Sequence, residues 1–437
     1  MNKQIISLLL VLAMVLSFVV LPAAAAGEMD ATAVTEACPC GCGKTIAQVT
    51  WKPWNGEPKE GHFYLAGNFT QTEQKTVLSD NNVVLDLRGY TLSGEDVFRL
   101  FLVNGYLTVL DTVGGGKLMG KAPADETGGV VLVEENEMLG PVFTLASGIL
   151  TQDAGSKSSG AGGVVGIGKN ATFRMTGGMI LDGYTSSSYG GGNVGSREVT
   201  SNIEILGGVI AGGTATKAGG NIFTYGKVTL ENCKIIGGTA GTWGGNVHIT
   251  GGSARLVANN AVLANGVSNG TTTGNKYGGG NLCVYSQAAA TVTDCRIYGG
   301  YAACGGGNVC VGRTNTSVTT LFKNTEIYGG SCGELGENVF GSISTSRATF
   351  ESCTIDGGFH HGNSKLILKG AMKIGGSGLR VGAGTLTATG LTAGAEILVT
   401  GNGTISGNTS YFKPSYRAAI TGTTSLTVAT GTEGYCP

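Results

Sequence analysis

The sequence predicts an all-β solenoid, a parallel β-helix of short strands and glycine turns. Two observations carry that prediction. A Gly-Gly-Asn-like signature recurs between Tyr189 and Gly358, with its asparagine at Asn193, Asn221, Asn246, Asn281, Asn308 and Asn338. Self-similarity at a period of roughly 20–50 residues marks one structural unit per repeat. The units also hold only short runs rich in Val, Ile and Thr, cut by glycines. None has the uninterrupted 3.6-residue periodicity of a helix. Three short strands joined by turns make one coil, and equivalent residues of successive coils stack about 4.8 Å apart.

A second signature ends a strand in a glycine turn: Ile205-Leu206-Gly207-Gly208, Ile235-Ile236-Gly237-Gly238, Ile297-Tyr298-Gly299-Gly300, Ile327-Tyr328-Gly329-Gly330 and Ile355-Asp356-Gly357-Gly358, with Leu263-Ala264-Asn265-Gly266 as its imperfect member. Aligned on these turns, Ile205, Ile235, Leu263, Ile297, Ile327 and Ile355 form an aliphatic column expected to fill the core. Asn202, Asn232, Asn260, Asp294, Asn324 and Ser352 form a small polar column. That column and the Gly-Gly-Asn column both fit ladders at coil corners, where stacked amides bond to one another and to turn backbone.

With these residues the chain resembles the right-handed parallel β-helix superfold, the architecture of pectate lyases and many bacterial surface proteins. The resemblance is architectural and points to no single family. The strand pattern gives about ten or eleven coils over residues 76–410.

Residues 1–26 read as a secretory signal. Lys3 supplies the positive start, Ile5 to Val20 the apolar run, and Ala24-Ala25-Ala26 a cleavage site. No second apolar run of about 20 residues follows, so the mature chain is expected to span no membrane and to be secreted or surface-exposed. Residues 27–75 read as an N-terminal cap, with Trp51, Trp54, Phe63 and Tyr64 as its packing. The same stretch holds Cys38-Pro39-Cys40-Gly41-Cys42, which with His62 invites a metal reading. The spacing is tighter than the usual zinc spacing, and nothing pairs with it downstream. A local disulfide or free thiols are the expectation, and no metal or cofactor is assigned. Coils follow from Thr76, weaken after Asn363, and give way to an indistinct tail over 411–437.

The 11 cysteines are an odd number for an exported chain. Cys283 and Cys310 each lie two residues after a repeat asparagine, so stacking puts them within disulfide reach. Cys304 and Cys332 are a second candidate pair. Cys233, Cys295 and Cys353 share one column on alternate coils, too far apart to bridge, and are expected as buried thiols.

Net charge is −1, against the basic face a nucleic-acid partner requires. The pattern shows neither the paired carboxylates of a hydrolase nor the acidic calcium cluster of a pectate-type lyase. The one dense polar knot is Asp356, His360 and His361, a weak catalytic candidate. Aromatics give a better signal. Tyr189, Trp243 and Tyr277 each precede the repeat glycines, while Tyr298 and Tyr328 share an outward column, followed by Tyr301. Stacked rings among Asn, Thr and Ser suit a sugar polymer. The expectation is a binding or adhesion protein contacting polysaccharide or glycan. A polysaccharide lyase or glycoside hydrolase on this scaffold, or a structural stalk, is the alternative.

Overall fold

The computed structural model describes residues 36–121, 127–134, 140–270, 278–312, 320–334, 336–341, 347–361, 365–381, 385–391, 396–400, 404–407 and 425–428. The signal segment and Tyr277 lie outside these residues. The protein is a right-handed parallel β-helix solenoid, nearly all strand. Its single helical element among the described residues is the 3-10 turn Ile46–Gln48. No helix there is long and apolar enough to cross a membrane.

Two compact units make up the chain. One runs to Ala215 and takes in Asn221–Phe223; the other holds Thr216–Gly220 and Thr224 onward. In the first unit a representative coil puts Thr172–Met175 on one face, Met179–Leu181 on a second, a two-residue strand at Tyr184–Thr185, and Val194–Ser196 on a third. Each strand pairs in parallel with its equivalent one coil away: Phe173 with Ile203, Ile180 with Ile210, Thr185 with Ala215 and Val194 with Val165. The second unit repeats the plan with Ala289–Thr293, Arg296–Tyr298, Tyr301–Ala302 and Val309–Val311. Part of the C-terminal tail joins it, since Ser425–Val428 pairs with Thr385–Leu391.

Side chains alternate across each strand, so one stack per face fills the core. Ile235, Leu263, Ile297, Ile327 and Ile355 are successive register partners and all are buried, as the aliphatic column predicts. Phenylalanines stack on the first face: Phe143 on Phe173, and Phe322 on Phe350 with centroids 4.8 Å apart and planes within 5°. Parallel in-register pairing forces this like-on-like contact.

The first repeat corrects the alignment. Ile205 ends a first-face strand and Asn202 begins it. The residue equivalent to Ile235 is Ile210, which fills the middle of the second-face strand Val209–Ala211. This coil carries two glycine pairs, Gly207-Gly208 and Gly212-Gly213, and the sequence pattern fell on the wrong corner. The rest of the small polar column holds. Asn232, Asn260, Asp294, Asn324 and Ser352 all have φ between 47° and 53°. Asn and Asp tolerate that left-handed corner because their short side chains bond locally. The Asn260 Nδ2 donates to Asn232 Oδ1 at 2.7 Å, and Asn324 Nδ2 to Asp294 Oδ1 at 3.1 Å.

The solenoid also begins before residue 76. Gly61–Tyr64 pairs with Asn82–Asp86, and Phe69–Gln71 with Thr91–Gly94. The cap residues divide between two tasks. Trp54 is buried and packs edge-on against Phe63 and Phe101, closing the core. Trp51 instead pairs in register with His62 and meets its ring at 5.5 Å. Its indole N–H donates to Ile46 O. Cys38, Ile46 and Val49 pack there on Val84 and Leu110. Tyr64 is half-buried under the guanidinium of Arg88.

Candidate binding face

The repeat asparagines form a hydrogen-bonded ladder, and all six are buried. Asn308 shows the pattern. Its Oδ1 accepts from Gly300 N at 2.9 Å and from Asn281 Nδ2 at 2.6 Å. Its Nδ2 donates to Asn338 Oδ1 at 2.5 Å and to Tyr328 O at 2.8 Å. Every polar position of the amide is therefore used, which a buried amide requires. Asn246 donates to Asn281 in the same way, and Asn193 to Asn221 in the other unit. The two glycines before each coil corner serve this ladder. Gly299 has φ +66°, and a Cβ on Gly300 would stand 2.8 Å from Asn281 Nδ2 and from Asn308 Oδ1.

The ladder's acceptors lie under the aromatic pair. Nδ2 of Asn281 and of Asn308 donate to the carbonyls of Tyr298 and Tyr328. Those two tyrosines are register partners on the second face, half-buried, with centroids 5.1 Å apart and planes within 9°. Rings that close and that parallel overlap face on face. Strand spacing brings equivalent rings too close to lie side by side, so their facing sides cover one another. The column runs from Ala264 through the two tyrosines to Asp356, whose side chain is exposed. Tyr328 is thus bordered by a ring on one side and a carboxylate on the other. Arg296, Glu326 and Thr354, all exposed, form the adjacent column. Burial, with Tyr298 alongside, pushes the Tyr328 hydroxyl above its usual range.

The other predicted aromatics go elsewhere. Tyr301 lies past the Gly299-Gly300 corner on the two-residue ladder, where it is exposed. Tyr189 is half-buried beside Phe223, with the Arg197 guanidinium 4.9 Å over its ring. Trp243 belongs to the third face. It lies 5.8 Å from His248 and 5.7 Å from Tyr285, packed on Cys283, Cys310 and Phe340. His248 is fully buried, and loss of water pushes its pKa down to about 3. Sequence reasoning missed His248 and Tyr285. The available signal was the offset, since His248, Cys283, Cys310 and Phe340 each stand two residues after a repeat asparagine.

The catalytic candidates do not form a described cluster. Asp356 is on the second face, whereas His360 and His361 follow the Gly357-Gly358 corner on the third, in register with Phe340 and Gly341. The side chains of His360 and His361 lie outside the described residues.

Cys283 and Cys310 are register partners, as the spacing predicts, but both are free thiols in a buried apolar cluster. Cys304 and Cys332 are not equivalent. Ala302 is the register partner of Cys332, and Cys304 O accepts from Glu334 N. The two loops are equally long, eight residues from corner glycine to asparagine, but Cys304 stands four residues before Asn308 and Cys332 six before Asn338. Cys233, Cys295 and Cys353 are buried free thiols, and burial raises the pKa of each.

The N-terminal cysteines are gathered, not scattered. The sulfurs of Cys38, Cys40 and Cys42 and a ring nitrogen of His62 lie within 4.8 Å of one another. The sequence treated that spacing as too tight for a metal.

No protein-family model matches the chain, and no curated protein or solved structure shows significant similarity to it. The class of protein is therefore defined by its fold, a parallel β-helical repeat protein.

Proposed function

We propose that the chain is an exported β-helical binding protein of the cell surface or exterior that contacts polysaccharide through its second face. The observation that carries this reading is the stacked Tyr298–Tyr328 pair, continued by the exposed carboxylate of Asp356. With the facing sides of the pair covered, a sugar ring packs its CH face on the side of Tyr298 turned toward Ala264, while a carboxylate accepts from its hydroxyls. The adjacent outward column of Arg296, Glu326 and Thr354 adds further polar groups, and repetition along a polymer multiplies weak contacts. The N-terminal secretory pattern supports export.

Screening the mature chain against plant and host glycans tests the reading. Binding that Tyr328→Ala weakens about tenfold or more supports it. Failure to bind any glycan favours a stalk. Release of new unsaturated or reducing ends that Asp356→Ala abolishes favours a lyase or hydrolase.

A further inference from the structure

We propose that Cys38, Cys40, Cys42 and His62 form a closed tetrahedral site for a zinc-class divalent cation that pins the N-terminal hairpin to the outer side of the first solenoid face. The hairpin is a tight loop. Ala37 bridges Thr45, Cys38 N donates to Lys44 O, and Gly41 and Gly43 have φ of +74° and +73°. Gly41 turns the chain between Cys40 and Cys42 and Gly43 turns it again after Cys42, so a spacing too short for two separate knuckles becomes one knuckle with three sulfurs on one side.

The fourth donor comes from another element. His62 sits in the strand Gly61–Tyr64, and its Nε2 lies 3.3 Å from Cys40 Sγ. Cys38 Sγ lies 3.0 Å from Cys40 Sγ. Zinc–sulfur bonds of about 2.3 Å in a tetrahedron put sulfurs about 3.8 Å apart. The close pairs must open, and any pair near the 4.8 Å limit must close, by about 1 Å at most to reach that geometry.

Lys44 lies close enough to act on His62 electrostatically, offsetting the net negative charge of three thiolates around a dication. Four protein donors leave no open position, so the site is structural, not catalytic. Its role is mechanical. The hairpin covers Val84 and Leu110, residues of the first face that would otherwise be wet.

The test uses the full mature chain, reduced and equilibrated with zinc. We expect one zinc per chain by elemental analysis, a thiolate-to-metal charge-transfer spectrum with cobalt, and a higher melting temperature with metal. Cys42 is exposed, so Cys42→Ser removes a donor without opening a cavity. It is expected to weaken zinc more than the ~10–100-fold cost of a lost outer-shell partner. His62→Asn tests the fourth donor, with far-ultraviolet circular dichroism as the control for folding. A reduced chain that retains no zinc and titrates three free thiols here overturns the proposal. So does a Cys42→Ser chain that binds zinc as tightly as the parent, or a disulfide among these cysteines that persists when the chain is purified anaerobically with zinc.

Discussion

The side-chain amide of Asn308 donates to the backbone carbonyl of Tyr328 at 2.8 Å. That bond ties the buried ladder to the half-buried aromatic column, because it anchors the backbone from which the Tyr328 ring projects. Asn281 does the same for Tyr298. The proposed binding face is in this sense preorganised by the repeat.

Asn308→Ala should therefore be severe. It leaves Gly300 N–H, Tyr328 C=O and both neighbouring amides buried with a lost partner. A loss of about 3 kcal/mol or more is expected. Denaturant unfolding measures it, and a change under about 1 kcal/mol would show that the ladder is ornamental.

Glycine position should matter more than glycine content. A Cβ on Gly300 would stand 2.3 Å from Gly307 O, inside the ladder. At Gly67 a Cβ meets nothing within 4 Å. Gly300→Ala is expected to lower the melting temperature sharply, and Gly67→Ala to leave it nearly unchanged. Equal effects would contradict the geometry.

The aromatic column and the neighbouring ladder can be separated by mutation. If glycan is held on the second face, Tyr298→Ala weakens binding and Tyr301→Ala does not, since the Gly299-Gly300 corner lies between them. Equal losses in a glycan pull-down would move the contact to the corner.

Acid should act through His248. Its pKa is about 3 in the fold against an ordinary value of 6.5, because burial disfavours the charged ring. The unfolded chain thus binds the proton first. Stability from this residue is intact above about pH 6.5 and lost as pH falls toward 3, by up to about 4–5 kcal/mol. His248→Phe, which keeps a ring beside Trp243 and Tyr285, should flatten that limb of the stability profile. A profile that the substitution leaves unchanged would assign the acid sensitivity elsewhere.

Thiol labelling reads the core. In reduced, metal-free protein Cys42 should label quickly, and Cys283, Cys295, Cys310 and Cys353 only on unfolding. Rapid labelling of Cys283 in the native chain would contradict its burial.

The fold was legible because parallel in-register stacking makes each column repeat its residue type. Asn221 or Asn308 announces a corner by its spacing alone, and Ile297 over Ile327 announces a core. Legibility failed where one coil offered two similar glycine corners, so that Ile205 took the place of Ile210. It failed again where two loops of equal length carry their cysteines two positions apart, as with Cys304 and Cys332.

By itself the chain's pattern determined the solenoid, its asparagine ladder and its aliphatic core, because those depend only on which residues recur at one period. Only the tertiary structure decided how Tyr298 and Tyr328 overlap and that Trp243 packs with His248. It alone showed that His62 reaches three cysteines twenty or more residues upstream. Those contacts join different faces or different segments, and no periodicity in a sequence encodes the distance across a corner.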